Sequence, residues 1–466
     1  MVTNPVWLMP VTNALCSFAV SGGRAFTQVR RTIDGSDKEV CVALNTADGN
    51  ELWATAVENN TSYTGGVGYD DGPRTTPAVA GDSVYVLSSY LNLCRLNLTN
   101  GAVIWSTNLL TGYGGSMINY QNAASPLLDN GLLYLNANCG AGSILALRTS
   151  DGSPAWRSQS VGLTHSTPVL AAIHGIRQLI FATQSGLVSL DPQSGVMLWQ
   201  FAYPFQFAIS IGASPVVYDD MVFICGAHAY GMGSVVMQAN LTNNSWTAQQ
   251  LWSTNNPASH WMTPVAHQGF LYGLFGIQQF DSPNAQLTCM DMRTGEVKWS
   301  VAGFGRGGTL LVDQQLLILT ETGFLVLAQA DPNAYTELGR FLAIPNYYGD
   351  TNKCWNAPAV ADGRVYIRST SFGACFDLSV PALKLDPPQT ISPNKIQLTV
   401  RTATGTALDP SRVAAMELRA STNLAFSPSV WAKLTNDLVL TNGIVHVNDV
   451  DAGFSRSRFF IVSESK

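Results

Sequence analysis

The 466-residue sequence predicts an all-β chain, an eight-bladed β-propeller followed by a small β-sandwich. Three observations carry this expectation. Charged residues make up only 12% and hydrophobic ones 46%, with 41 Gly and 11 Trp, a balance suited to strands joined by tight turns. A Gly-x-x-x-Trp element recurs, ending at Trp53, Trp105, Trp156, Trp199 and Trp299, with a looser copy, NNSWTAQQLWS, ending at Trp252. The steps between these tryptophans are 52, 51, 43, 53 and 47 residues, close to the period of about 40–50 at which propeller blades repeat.

A second element precedes the first in each unit. TTPAVAGDSVYV is echoed by ASPLLDNGLLYL, STPVLAAIHGIRQLIF, ASPVVYDDMVFI, MTPVAHQGFLYG and NAPAVADGRVYI, with GGTLLVDQQLLIL and CSFAVSGGRAFTQ as variant copies. Each unit reads as four short strands with alternating apolar residues, and the Asp-Gly, Asn-Gly and Ser-Gly pairs suit hairpin turns with positive φ. The Trp is expected on the outer strand, packed between neighbouring blades with its N–H on a backbone carbonyl. One blade cannot bury both faces, whereas a ring of eight can. The ring is expected over residues 1–380. The last copy, Ala357 to Leu378, lacks an outer strand, and the segment Pro5–Pro10 is expected to supply it.

Beyond the ring, residues 381–392, which hold most of the run LDPPQTISPN, read as a Pro-rich linker. The runs IQLTVRT, AAMELRAST, VWAKLT, LVLTNGIVHVNDV and RFFIVSE then predict a β-sandwich over 393–466.

The formal net charge of −6 argues against a nucleic-acid partner, and no apolar run reaches the roughly 18 residues of a membrane span. MVTNPVWLMP lacks the basic and long apolar segments of a signal peptide. The eight cysteines form no C-x-x-C and sit mostly in apolar runs, as packed thiols do.

The A-x-D-x-x-x-G-x-x-x-W repeat after a T/S-P-V strand resembles the PQQ-type propeller repeat shared by quinoprotein alcohol dehydrogenases and BamB-like outer-membrane assembly proteins. The tail pattern S-T-N-L…W-x-x-L…R-F-F-I-V is similar to fibronectin-like accessory domains used for display or attachment. The resemblance implies a secreted, periplasmic or cell-surface location. The dehydrogenases carry a vicinal Cys-Cys pair and a calcium-held quinone; this chain has no Cys-Cys and no C-x-x-C-H, so neither PQQ, calcium nor haem is expected. No lipobox cysteine stands at the start.

In a propeller, ligands meet the face where the loops entering the inner strands open. Counting back from each small-Pro pair places Arg74, His165, His260, Trp261, Arg306 and Trp355 around that mouth, with Asp70, Asp71, Asn119, Tyr120 and Asn356 near in sequence. These residues are either a solvated rim or a site for an anionic or polyhydroxylated ligand. In the second reading Arg74 and Arg306 hold a carboxylate or sulfate, Trp261 and Trp355 stack on sugar rings, and His165 and His260 serve as acid and base. His174, His228, His267 and His446 read as structural. Asp34, Asp37 and Glu39 read as an acidic hairpin tip without the spacing of a calcium loop.

The expected function is binding: a scaffold propeller, probing protein or polysaccharide with its face and acting as a monomer. A hydrolase or lyase acting on an extracellular polymer through the His/Arg residues is the alternative, and a PQQ-dependent dehydrogenase a remoter one.

Overall fold

The computed structural model describes residues 4–63, 71–203, 211–226, 233–276, 285–345, 351–451 and 458–464. The chain divides into two compact units, Met1–Leu378 and Ser379–Lys466.

The first unit consists of eight four-stranded antiparallel sheets, the blades. Blade 1 comprises Ala19–Ser21, Arg24–Ile33, Ser36–Asn45 and Glu51–Ala56, and blade 2 Ala78–Ala80, Ser83–Leu87, Asn92–Asn97 and Val103–Asn108. Blade 3 comprises Leu127–Asp129, Leu132–Asn136, Ile144–Arg148 and Pro154–Ser158, and blade 4 Val169–Ile173, Ile176–Thr183, Gly186–Leu190 and Met197–Phe201. Blade 5 comprises Val216–Tyr218, Met221–Cys225, Ser234–Thr242 and Ser245–Thr254, and blade 6 Val265–His267, Phe270–Phe275, Gln286–Asp291 and Val297–Val301. Blade 7 comprises Gly308–Val312, Gln315–Leu319, Phe324–Gln329 and Glu337–Leu342. Blade 8 takes three strands from Ala359–Ala361, Arg364–Arg368 and Phe372–Asp377, and its outermost from Trp7–Pro10, which pairs Trp7 with Cys375 and Pro10 with Phe372.

The repeated Gly and Trp are two halves of one joint. Gly49, Gly101, Gly152, Gly195 and Gly295 all adopt φ between +71° and +78°, which closes the hairpin before the outer strand. A Cβ at Gly101 would lie 2.5 Å from Trp53 of the preceding blade, one at Gly195 2.5 Å from Trp156, and one at Gly295 2.8 Å from Trp252. Each indole therefore lies on the bare backbone of the next blade's turn. It also donates its N–H to a carbonyl there, as in Trp53 to Leu98 O at 3.1 Å and Trp252 to Met292 O at 2.9 Å. Trp199 departs from this pattern. The next blade carries the long hairpin Ser234–Thr254 in place of the Gly turn, and Trp199 donates instead to Gln178 Oε1 within its own blade at 2.7 Å.

In four blades the small residue before Pro has its own task. Ser17 N donates to Thr76 Oγ1, Thr76 N to Ser125 Oγ and Ser125 N to Thr167 Oγ1, each at 2.9 Å, and Ser214 N donates to Thr263 Oγ1 at 3.0 Å. The hydroxyl of one blade satisfies the backbone N–H of its neighbour, which a backbone approaching a Pro cannot do through a ladder. At the seam, Ser17 Oγ donates to Ala357 O at 2.6 Å. Arg368 of blade 8, fully buried, donates to Thr27 Oγ1 at 2.6 Å, Gln28 O at 2.9 Å and Thr12 O at 3.2 Å. All eight cysteines are buried and free.

The second unit packs a sheet of Leu383–Leu385, Gln389–Ser392, Lys395–Thr402, Ile444–Asp451 and Val439–Thr441 against one of Ala432–Lys433, Met416–Ser421 and Phe459–Glu464. Leu398, Val400, Leu418, Val445 and Val447 lie between them. The stretch expected as a linker is instead part of this unit. Leu383–Leu385 and Gln389–Ser392 both pair with Lys395–Thr402, and Pro387-Pro388 separates the two short strands because neither can donate to a ladder. Among the described residues no helix is long and apolar enough to cross a membrane.

Candidate functional site

Antiparallel order within a blade brings three segments to one end: the entry to the first strand, the turn between second and third, and the exit from the fourth. The residues picked from the entry loops fall into two clusters at this mouth.

The first belongs to blades 2–4. Arg74 Nη2 donates to both oxygens of Asp71, at 2.7 and 2.9 Å, and Nη1 donates to Tyr120 O at 3.1 Å. The guanidinium also lies 5.4 Å from the centre of the Tyr63 ring. Asp71 is fully buried and further accepts the Gly72 N–H. His165 Nε2 lies 2.8 Å from the Gln121 carbonyl, so that nitrogen carries the proton. Burial, then the charges of Arg74 and His260, pull the imidazole pKa down to about 4, outweighing the carbonyls of Gln121 and Asn119. At neutral pH the ring is uncharged and has no proton of imidazolium acidity to give.

The second cluster belongs to blades 6–8. Trp261 and Trp355 stack with centroids 5.0 Å apart and planes tilted by 38°. Arg306 lies 4.6 Å from the Trp355 ring and 5.9 Å from Trp261, and Lys353 Nζ lies 5.0 Å from Trp355. Glu321, 1% exposed, binds the group together. Its Oε1 accepts from Trp355 Nε1 at 2.8 Å and from Arg306 Nη2 at 3.4 Å, and its Oε2 from the Arg306 N–H at 2.9 Å. Asn356 is buried, and neither its amide oxygen nor its nitrogen meets a hydrogen-bond partner among the described residues; the Trp261 indole N–H is in the same condition. His260 links the clusters: its ring centre lies 5.0 Å from that of Trp261, and its charge is felt at His165.

The structure thus gathers Asp71, Arg74, Tyr120 and His165 on one side, and Trp261, Arg306, Trp355 and Asn356 on the other. It does not offer two open guanidiniums to one anion, because each is engaged by a buried carboxylate of its own. Asp70 and His228 lie outside the described residues.

Sequence reasoning missed Glu321, Lys353 and Glu58, and misplaced Glu39. Glu321 sits in a turn between second and third strands, a position that the count along entry loops never reaches. Glu39 is not at a hairpin tip: the tip is Asp34-Gly35, and Glu39 lies back in the ten-residue strand Ser36–Asn45, fully buried. Its Oε2 accepts the Ser89 N–H at 2.9 Å, its Oε1 has no hydrogen-bond partner among the described residues, and burial raises its pKa, aided by nearby Glu58.

Asp71 and Glu321 do not fit a calcium-held quinone. Both Asp71 oxygens face Arg74, Glu321 is turned onto Arg306 and Trp355, and no three His, Cys, Asp or Glu groups among the described residues are placed to hold a metal.

Sheet order, the Gly–Trp joint and a mouth built on the inner strands define a PQQ-type propeller. The family model for the outer membrane protein assembly factor BamB matches residues 4–110 and 36–301, more than half the chain, and the chain belongs to that family. It is 24% identical over 363 residues to BamB of Yersinia pestis, covering 69% of this chain and 86% of the relative. To BamB of Salmonella typhimurium it is 27% identical over 343 residues, covering 67% and 79%. Among solved structures, BamB from Moraxella catarrhalis superposes with a TM-score of 0.52 at 13% identity, over 80% of this chain and 96% of that one. The quinohemoprotein alcohol dehydrogenase of Comamonas testosteroni gives 0.56 at 15%, over 88% and 80%. At these identities the structural likeness extends to the fold alone.

Proposed function

We propose that this protein is a scaffold propeller of the cell envelope, acting as a monomer in outer membrane protein assembly, and that the mouth is the surface by which it engages protein. The relatives are named as outer membrane protein assembly factors, and membership of their family supports the same task here. The observation that carries the reading is the condition of the mouth. Arg74 is turned onto Asp71 and Arg306 onto Glu321, and His165 is held neutral, so the rim is a rigid platform of rings and amides and not an acid–base pair. Such a surface suits recognition with little ordering cost, and it requires no PQQ, calcium or other cofactor.

Placing a photo-crosslinking amino acid at exposed Tyr120 and irradiating intact cells tests this. Covalent adducts with envelope proteins are expected. Absence of any protein adduct, together with turnover of a glycan by the wild-type chain that His165→Ala and His260→Ala abolish, would replace the scaffold with the hydrolase or lyase. Binding of a glycan without turnover would make polysaccharide the ligand.

A further inference from the structure

The loop entering blade 3 holds a strained stretch of backbone that no hairpin requires. Tyr120 and Gln121 both adopt positive φ, +62° and +61°. There Cβ crowds the following carbonyl oxygen, and residues other than glycine seldom enter the region. Elsewhere among the described residues, two successive residues of positive φ form the tip of a hairpin between paired strands. Asn243-Asn244 and Asp313-Gln314 are examples, where a two-residue turn needs them. Tyr120-Gln121 joins no paired strands: the outer strand of blade 2 ends at Asn108, and the first strand of blade 3 begins at Leu127.

Neighbouring blades hold the pair in this shape. Arg74 Nη1 donates to Tyr120 O at 3.1 Å, and His165 Nε2 donates to Gln121 O at 2.8 Å. Gln121 N donates to Ile118 O at 3.1 Å and Asn122 N to Ser89 O of blade 2 at 3.0 Å. Met117 and Ile118 pack against the apolar core shared by blades 2 and 3, and Asn122 is fully buried. Gln121 adds a second cost, because its Oε1 is buried without a hydrogen-bond partner among the described residues.

Strain of this kind persists only where the surroundings over-determine it, and it gathers at ligand clamps. What the pair displays is Tyr120, 38% exposed, at the rim of the mouth. A tyrosine fixed in direction is a favoured anchor of protein interfaces: its ring offers a large apolar area with few torsions left to freeze. Beside it Arg74 is turned onto Asp71, so the spot suits an uncharged group.

We infer that Tyr120 is the anchor of the mouth's contact with its protein partner, aimed by the strained Tyr120-Gln121 pair, and that its ring takes an apolar side chain of that partner. The inference rests on the reading of the mouth as a protein-binding surface.

Photo-crosslinking from the neighbouring exposed Asn119 in intact cells tests it, with positions 120 and 121 varied. Tyr120→Ser is expected to lower the adduct yield about tenfold or more, and Tyr120→Phe, which keeps the ring, to lower it far less. Gln121→Gly is expected to raise the urea midpoint, because it removes the strain at that residue and an unpartnered buried oxygen. It should also lower the yield by about twofold, since glycine samples both signs of φ. A yield unchanged in Tyr120→Ser overturns the inference and leaves the mouth as a protein-binding surface. No adduct from Asn119 or from Tyr120 in the wild-type background overturns both. A lower urea midpoint for Gln121→Gly with an unchanged yield assigns the pair to holding the ring together, and that result overturns the inference as well.

Discussion

The Gly–Trp joint between blades can be weighed by two substitutions of the same chemistry. Gly101 and Gly81 both have positive φ, +72° and +58°, so alanine at either costs about 1–2 kcal/mol of left-handed backbone strain. They differ in surroundings. Nothing lies within 4 Å of a Cβ at Gly81, whereas at Gly101 it would stand 2.5 Å from Trp53 Cε3 and 2.7 Å from Thr55 Oγ1. Trp53 is 8% exposed and held by its N–H on Leu98 O, so it cannot yield without losing that bond. Overpacking of this kind adds about 1–3 kcal/mol. Gly81→Ala is therefore expected to destabilise by about 1–2 kcal/mol and Gly101→Ala by about 2–5 kcal/mol, read from urea denaturation followed by circular dichroism. A Trp53→Leu background should reduce the excess at Gly101, because the obstructing ring is gone and only Thr55 Oγ1 remains in the way. Equal costs for the two alanines, or an excess that Trp53→Leu leaves undiminished, would refute the idea that the repeat's Gly exists to receive its neighbour's indole.

The depressed pKa of His165 sets a pH dependence. The ring folds neutral, so its contribution is complete above the ordinary value near 6.5 and is lost as pH falls through 6.5 toward about 4. The loss reaches about 3 kcal/mol at most, and His165→Gln should flatten the denaturation midpoint over that window. Glu39 is the opposite case. Its raised pKa means that the fold favours the protonated acid, so a penalty grows as pH rises through the carboxylate range. Glu39→Gln is expected to leave stability unchanged or improve it at pH 7, with the gain vanishing at acid pH; clear destabilisation at pH 7 would show an ionised Glu39 to be needed.

The sequence exposed the architecture because its joints are made of residues with few substitutes. Only Gly offers a turn at φ near +72° with a face bare enough for Trp53, and only a hydroxyl before Pro77 or Pro126 can accept the neighbouring N–H. The site was legible only where it shares that frame. Arg74, His165 and Trp261 stand at a fixed distance from a Pro and could be counted out. Glu321 arrives on a different loop of its blade, and its partnership with Arg306 and Trp355 is a fact of space that no spacing encodes. Glu39 was misread because blade 1 has ten-residue middle strands where about five are usual, which moves the tip away from it.

The seam of the ring sets a timetable for the molecule. Trp7–Pro10 is synthesised well before its partner strand, Phe372–Asp377, which comes more than three hundred and fifty residues later. Until then the early segment has no ladder to join, and Thr12 and Gln28 await the guanidinium of Arg368. Contacts of such separation form late. Closure is thus a proofreading event: a chain cut short before Arg368 keeps an open edge and an unanswered cluster of carbonyls, and only a finished one can hide them.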